Sequence, residues 1–200
     1  MRIISGTLKG RQLNVPREAK LRPTTDRVRT SLFDSLEQLT EFRECEAVDL
    51  YSGSGSLGFE ALSRGARSCS FIEKARILVN YLNNTIRELE LAERALVHSG
   101  DVWAVLPRLA QQFSDRQQSV GSFVRLILAD PPYTAHPGFN LMQELIKSGV
   151  IKSPAVVAIG RPRQLVEPGH IEWPAQLTPH PAEIVTKSFG DTQFDIYLFT

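Results

Sequence analysis

The chain has 200 residues and a formal net charge of +1, with 42% apolar and 22% charged residues, a composition typical of a globular domain. It contains no apolar run of the roughly 18 residues that a membrane span needs, and residues 2–6 do not resemble a signal peptide. Neither the two cysteines, Cys45 and Cys69, nor the four histidines have metal-ligand spacing. We therefore expect a reduced, cytoplasmic protein without a metal site, and not a secreted, fibrous, disordered or membrane protein.

The predicted elements begin with an N-terminal arm, residues 1–25, in which two short strands surround Gly6 and Gly10. Thr25 or Asp26 caps a helix that extends to about residue 39. Strands and helices then alternate along the chain. Strands are predicted at 47–51, 68–72, 95–98, 124–129 and 155–159, and helices at 56–64, 76–89, 102–112 and 139–147, with a polar loop at 113–122.

The C-terminal part follows a different pattern. Residues 160–182 contain five prolines and are predicted to be irregular, while 184–189 and 194–199 flank a turn and predict an antiparallel hairpin. The whole order predicts an α/β fold with a doubly wound, seven-stranded, mostly parallel Rossmann-like sheet. The antiparallel C-terminal hairpin and a small N-terminal β-arm complete it. We divide the chain into the arm and a domain of residues 26–200.

Positive charge is concentrated at the N-terminus. Residues 1–30 contain eight Lys or Arg and two Asp or Glu, a net charge of +6, whereas the remaining residues carry −5. This asymmetry favours contact with a polyanion such as a nucleic acid, although a solvated surface cluster would give the same count. Six of the eight cations are arginines, which suit bidentate phosphate contacts.

A glycine-rich turn follows the first predicted strand of the sheet. Gly53, Gly55 and Gly58 have G-x-G-x-x-G spacing between a strand and a helix, which lets a ligand approach the backbone closely. Glu73 ends the next strand, 20 residues after Gly53, where a carboxylate accepts hydrogen bonds from ribose hydroxyls. These features alone also fit a nicotinamide-dependent dehydrogenase. Asp49, four residues before the first glycine, favours a cationic ligand such as S-adenosylmethionine over a pyrophosphate.

Two further acids end predicted strands of the sheet. Asp101 follows the third strand and would accept from an adenine amine, cap the next helix, or do both. Asp130-Pro131-Pro132-Tyr133 follows the fourth strand, and its prolines offer no backbone N–H donor. Carboxylate and carbonyl acceptors beside an aromatic ring are what an exocyclic amine on a nucleobase requires.

Six segments resemble the class I S-adenosylmethionine-dependent methyltransferases that modify amino groups, and more closely the RsmD family of bacterial 16S ribosomal RNA guanine-N2 methyltransferases. They lie within about residues 1–150. The segments are RIISG (2–6), KGR (9–11), LRPTTDRVR (21–29), DLYSGSGSLGFEALSRGA (49–66), FIEK (71–74) and DPPY (130–133).

The resemblance implies a ribosomal RNA substrate, S-adenosylmethionine as cofactor, and a monomer acting on an assembling small ribosomal subunit. It assigns Asp130, Pro131 and Tyr133 to catalysis and Arg11, Arg22 and Arg27 to RNA binding. The implied cofactor-binding residues are Asp49, Ser52, Gly53, Gly55, Glu73, Lys74, Asp101 and Asp130. The alternatives are a DNA adenine-N6 or cytosine-N4 methyltransferase and a non-catalytic ribosome-assembly factor on the same scaffold.

Overall fold

The structure is a computed structural model of the chain. It describes residues 1–19, 21, 24–120, 124–132, 138–151, 153–163, 178–189 and 191–200.

A seven-stranded sheet forms the centre of the molecule. Its strands are β1 (Cys45–Leu50), β2 (Ser68–Glu73), β3 (Ala95–Ser99), β4 (Val124–Ala129), β5 (Ala155–Pro162), β6 (Glu183–Phe189) and β7 (Thr192–Phe199). They lie in the order β3-β2-β1-β4-β5-β7-β6. Strands β1 to β5 pair in parallel, and the hairpin of β6 and β7 joins antiparallel to β5. The predicted sheet and its C-terminal hairpin are therefore confirmed.

Helices cover both faces of the sheet. They are α1 (Asp26–Glu37), α2 (Ser56–Ser63), α3 (Arg76–Glu88), α4 (Val102–Val120) and α5 (Gly138–Ser148). Buried side chains of α1, α2 and α3 form one apolar core with one face of the sheet, and those of α4 and α5 form a second core with the other face. Parallel strands buried on both faces are expected to contain continuous apolar runs, and residues 126–129 of β4 and 155–159 of β5 are such runs. None of the helices in the described part of the chain could cross a membrane.

Helix α4 corrects one prediction. Residues 113–122 were expected to form a polar loop, but the helix continues to Val120. Phe113 explains the difference, because it is buried and continues the apolar face of Leu106, Leu109 and Ala110 by one more helical turn. The ring of Phe113 also lies 4.2 Å from the Arg125 guanidinium carbon, a cation–π contact that holds this part of the helix against β4.

The N-terminal arm forms a hairpin-like loop that docks on α2. Instead of the two predicted strands, it contains one isolated antiparallel bridge, between Arg2 and Gln12. The reason is that its backbone N–H groups bond to α2: Ile4 and Ser5 donate to the Glu60 carboxylate at 2.8 and 3.0 Å. Leu8 donates to the Ser63 hydroxyl at 2.9 Å. Glu60 is fully buried, and these donors offset the cost of removing its charge from water.

Arg29 ties the arm to α1. Its side chain is fully buried, and its Nη2 donates to the carbonyl of Arg2 at 2.6 Å and to Asp26 at 2.9 Å. Burial lowers the pKa of the Arg29 guanidinium, while the charge of Asp26 opposes that change. Thr25 caps α1 by accepting from the N–H of Val28, as predicted.

We expect the Gly6→Ala substitution to undock the arm. Gly6 has a φ of +79°, and a Cβ there would lie 1.9 Å from the carbonyl oxygen of Ser63. Gly10 provides the matched control, because its φ is +85° but a Cβ would meet nothing within 4 Å. Gly10→Ala should cost about 1–2 kcal/mol of unfolding free energy through backbone strain, and Gly6→Ala about 1–3 kcal/mol more through overlap. Urea denaturation of both variants measures this difference, and equal losses would contradict the docking of the arm on α2.

Candidate active site

Four strands end at one edge of the sheet and surround one cavity. Strand order reverses between β1 and β4, and in open α/β sheets ligands bind at such a point, beyond the carboxyl ends of the strands. The cavity there has a volume of about 520 Å³. It is lined by Ala19, Leu21, Thr24, Thr25, Val28, Tyr51, Gly53, Ile72, Glu73, Lys74, Ala75, Leu78, Gly100, Asp101, Val102, Asp130, Pro131, Pro132 and Thr192.

The glycine turn forms one wall of this cavity. Gly53 lines it directly. Gly55 does not, because it caps the N-terminus of α2, where a Cβ would lie 2.6 Å from side-chain atoms of Leu82 and Phe59. Tyr51 lines the cavity with a φ of +56°, a backbone conformation that is strained for a residue other than glycine and is often found at functional sites.

Glu73 anchors the glycine turn and faces the cavity. One carboxylate oxygen accepts from the Gly53 N–H at 2.9 Å and the other from the Ala75 N–H at 2.8 Å. The side chain is buried and lines the cavity. Because each carboxylate oxygen has two lone pairs, Glu73 retains acceptor capacity for a ligand hydroxyl.

Asp49 lies beneath the turn and not in the wall of the large cavity. It lines an adjoining cavity of about 80 Å³ together with Ser52, Gly53 and Asp130, and its Oδ2 accepts from the Gly58 N–H at 2.9 Å. Its side chain is 2% exposed. Burial raises the pKa of Asp49 well above the ordinary carboxyl value, and the charges of Asp130 and Glu73 raise it further. A positive charge near this group would relieve the unfavourable interaction.

The other predicted cofactor residues have different surroundings. Ser52 uses its hydroxyl inside the turn, donating to the carbonyls of Asp49 and Ile72 at 2.6 and 3.2 Å. Asp101 caps α4, accepting from the Trp103 N–H at 3.1 Å, and also lines the large cavity. Lys74 is exposed, with its Nζ 3.9 Å from Asp101.

Burial and the charge of Asp101 raise the pKa of Tyr51 to about 12, so its hydroxyl remains protonated.

Asp130 and Pro131 line the large cavity at the end of β4. Sequence reasoning did not find one partner of Asp130: Thr24 Oγ1 donates to Asp130 Oδ2 at 2.6 Å. On the other side of the carboxylate, a Cβ at Gly160 would lie 2.7 Å from Asp130 Oδ1. Tyr133, which the resemblance assigns to catalysis, lies outside the described residues.

The predicted RNA-binding arginines lie on or near the arm. Arg11 is exposed and its Nη2 donates to the backbone carbonyl of Glu88, the last residue of α3, at 3.0 Å. Arg27 is exposed on the first turn of α1, and Arg22 lies outside the described residues. Arg29, also counted in the basic cluster, is buried and therefore structural.

Comparison with known proteins identifies the family. Residues 1–198 match the family described as Conserved hypothetical protein 95. The chain is 35% identical over 146 residues to Ribosomal RNA small subunit methyltransferase D of Haemophilus influenzae, covering 73% of this chain and 68% of that protein. The Escherichia coli K12 protein of the same name is 36% identical over 133 residues, 66% of this chain and 60% of that protein.

Solved structures agree with this match. The Escherichia coli protein yhhF is 28% identical, with a TM-score of 0.75 over 99% of this chain and 97% of that chain. A hypothetical protein of Thermus thermophilus is 25% identical, with a TM-score of 0.75 over 100% of this chain and 99% of that chain. The chain therefore belongs to the family of Ribosomal RNA small subunit methyltransferase D.

Proposed function

We propose that this protein transfers a methyl group from S-adenosylmethionine to the exocyclic N2 amine of a guanine in 16S ribosomal RNA. The observation that carries the proposal is the position of Asp130 and Pro131, which place acceptors in the same cavity that Gly53, Glu73 and Asp101 line. Family membership supports an rRNA methyltransferase, since the named relatives carry that activity in their names.

The residues around the two cavities fit S-adenosylmethionine. The large cavity, about 520 Å³, falls within the size range of small-ligand sites. Its acids suit a ligand that carries an ammonium and a sulfonium but no phosphate. Gly53, with Ser52 and Gly55 shaping the turn, would hold the methionine part of the cofactor. Asp49 would attract the positive charge of that part electrostatically, across the small cavity. Glu73 would bind the ribose hydroxyls, while Asp101 and the neighbouring Lys74 would lie at the adenine.

Asp130 and Pro131 would hold the target amine. The nitrogen is a poor nucleophile because its lone pair is conjugated with the guanine ring. The Asp130 carboxylate and the Pro131 carbonyl would accept its two N–H bonds and direct the lone pair away from the ring plane. Tyr133 would stack on the base. Orientation of this kind contributes up to about 7–11 kcal/mol to a reaction barrier, and the fixed acceptors add electrostatic stabilisation as the nitrogen becomes positive.

S-adenosylmethionine, when bound, supplies a methyl carbon that forms a bond to nitrogen as its bond to sulfur breaks, leaving a neutral thioether. The nitrogen then releases one proton, which Asp130 or water would accept. The role of the chain is therefore to bind, orient and accept hydrogen bonds, and no residue forms a covalent intermediate.

The RNA substrate must present an unpaired base, because the N2 amine is inaccessible inside a helix. The arm and the first turn of α1 would bind backbone phosphates near the cavity, the arm through Arg11 and Arg22 and the helix through Arg27. Two features support this position: Ala19 and Leu21, at the end of the arm, line the large cavity, and Arg11 and Arg27 are exposed. We further propose that the protein acts in the cytoplasm, as a monomer, on an assembling small ribosomal subunit.

We expect Asp130→Ala to reduce methyl transfer at least about 100-fold, because the amine loses an oriented acceptor. Affinity for S-adenosylmethionine should stay within about threefold of the wild type, since the contacts proposed for Asp49, Glu73 and Asp101 remain. The assay uses tritiated S-adenosylmethionine with small-subunit particles from cells lacking this protein, and calorimetry measures the cofactor affinity. Asp115→Ala is the matched control, because Asp115 is exposed on α4 and lines neither cavity.

The modified nucleoside, identified by mass spectrometry, tests the substrate. We expect N2-methylguanosine in ribosomal RNA and no label in duplex DNA. Label on adenine or cytosine, or RNA binding without transfer by the wild type, would contradict the proposed function. Unchanged turnover of Asp130→Ala would contradict the role of that carboxylate.

We expect Asp49→Asn to stabilise the protein while weakening cofactor binding. Because the pKa of Asp49 is raised in the folded state, the wild type loses stability as pH rises from the ordinary carboxyl range to that raised pKa. The asparagine variant lacks this loss. At pH 8 we expect a higher Tm than that of the wild type, and the difference should shrink as the pH is lowered. Affinity for the cationic cofactor should fall about tenfold.

Thermal denaturation from pH 4 to pH 8 and calorimetry measure the two effects of Asp49→Asn. Asp115→Asn is the matched exposed control and should change neither quantity. A variant that was less stable at pH 8, with wild-type cofactor affinity, would contradict the electrostatic role given to Asp49.

A further inference from the structure

We propose that Thr24 is a positioning residue for methyl transfer, whose hydroxyl fixes the orientation in which the Asp130 carboxylate accepts the target amine. This inference rests on the role proposed above for Asp130. It brings a residue of the N-terminal arm, 106 positions away in the sequence, into the reacting part of the site.

The contact between the two side chains is short. Thr24 Oγ1 donates to Asp130 Oδ2 at 2.6 Å, a distance typical of a hydroxyl bonded to an ionised carboxylate. Both residues are half-buried and line the large cavity. Since a carboxylate oxygen accepts more than one hydrogen bond, the bond fixes the plane of the carboxylate and leaves it able to accept from the amine.

Thr24 is itself held by buried groups. Its carbonyl accepts from Arg29 Nη1 at 3.3 Å, and the other terminal nitrogen of Arg29 binds the carbonyl of Arg2. The next residue, Thr25, caps α1. The backbone of Thr24 is therefore held at its carbonyl by the buried guanidinium, and the residue that follows it is held by the first turn of α1. A hydroxyl held in this way restrains its partner, because it cannot simply follow a movement of the carboxylate.

Gly160 restrains the same carboxylate from the opposite side. A Cβ at position 160, at the end of β5, would lie 2.7 Å from Asp130 Oδ1, so the carboxylate packs directly against the backbone there. Asp130 is thus bracketed, with its Oδ2 on Thr24 and its Oδ1 against Gly160. Such a bracket leaves few rotamers to the side chain, as a site that acts by orientation requires.

The test compares two substitutions at Thr24. Thr24→Val replaces the hydroxyl by a methyl of nearly the same shape, and Thr24→Ser retains the donor. We expect Thr24→Val to lower kcat about tenfold or more, with the KM for S-adenosylmethionine within about threefold of the wild type. Thr24→Ser should retain at least about one third of the wild-type kcat. Thr30→Val is the matched control, because the Thr30 hydroxyl donates to the carbonyl of Asp26 within α1 and Thr30 does not line the large cavity; its kcat should be unchanged.

Each outcome decides the proposal. A wild-type kcat in Thr24→Val would overturn it. Equal losses in the valine and serine variants, with a matching fall in Tm, would also overturn it, because they indicate a structural role for the side chain. Retained turnover in Asp130→Ala would overturn the role proposed for Asp130, on which this inference rests, whereas loss in Asp130→Ala with normal turnover in Thr24→Val overturns only the role of Thr24.

Discussion

The parallel register of β1 to β4 is the constraint on which the site depends. Because these strands run in one direction, the residues that follow them meet at one edge of the sheet. The chain places an acid at or near each end: Asp49, Glu73, Asp101 and Asp130. Carboxylates brought together in this way repel one another, and the charges of Asp130 and Glu73 add to the rise that burial causes in the pKa of Asp49. A cationic methyl donor turns the same repulsion into attraction.

The N-terminal arm completes the site from outside the sheet. It has too little apolar surface to fold alone, and its backbone is held by the buried carboxylate of Glu60 and the buried guanidinium of Arg29. The arm continues to Leu21 and Thr24, which line the large cavity. Groups that stabilise the fold therefore also determine where the Thr24 hydroxyl lies, which connects arm docking to the orientation of Asp130.

The sequence allowed much of this architecture to be predicted, because the informative signals are local. The backbone conformations of the glycine turn and of the proline pair after Asp130 are determined by the few residues that form them. The bond between Thr24 and Asp130 could not be predicted, since it joins residues far apart in the chain and depends on the docking of the arm. The sequence did contain one indication of this bond. Thr24 and Thr25 both precede α1, but a helix needs only one of them as its cap, so the other hydroxyl is available for a different contact. Similarly, the polar composition of residues 113–120 concealed the helical spacing of Phe113.

A crystal structure with bound S-adenosylhomocysteine would test the central claim most directly, because its thioether sulfur marks the position of the transferred methyl group. We expect the ribose hydroxyls at Glu73, the adenine at Asp101, and the sulfur in the part of the cavity that Asp130 lines, with Thr24 still bonded to the carboxylate. A ligand bound outside this cavity, or an Asp130 side chain turned away from the sulfur, would contradict that claim.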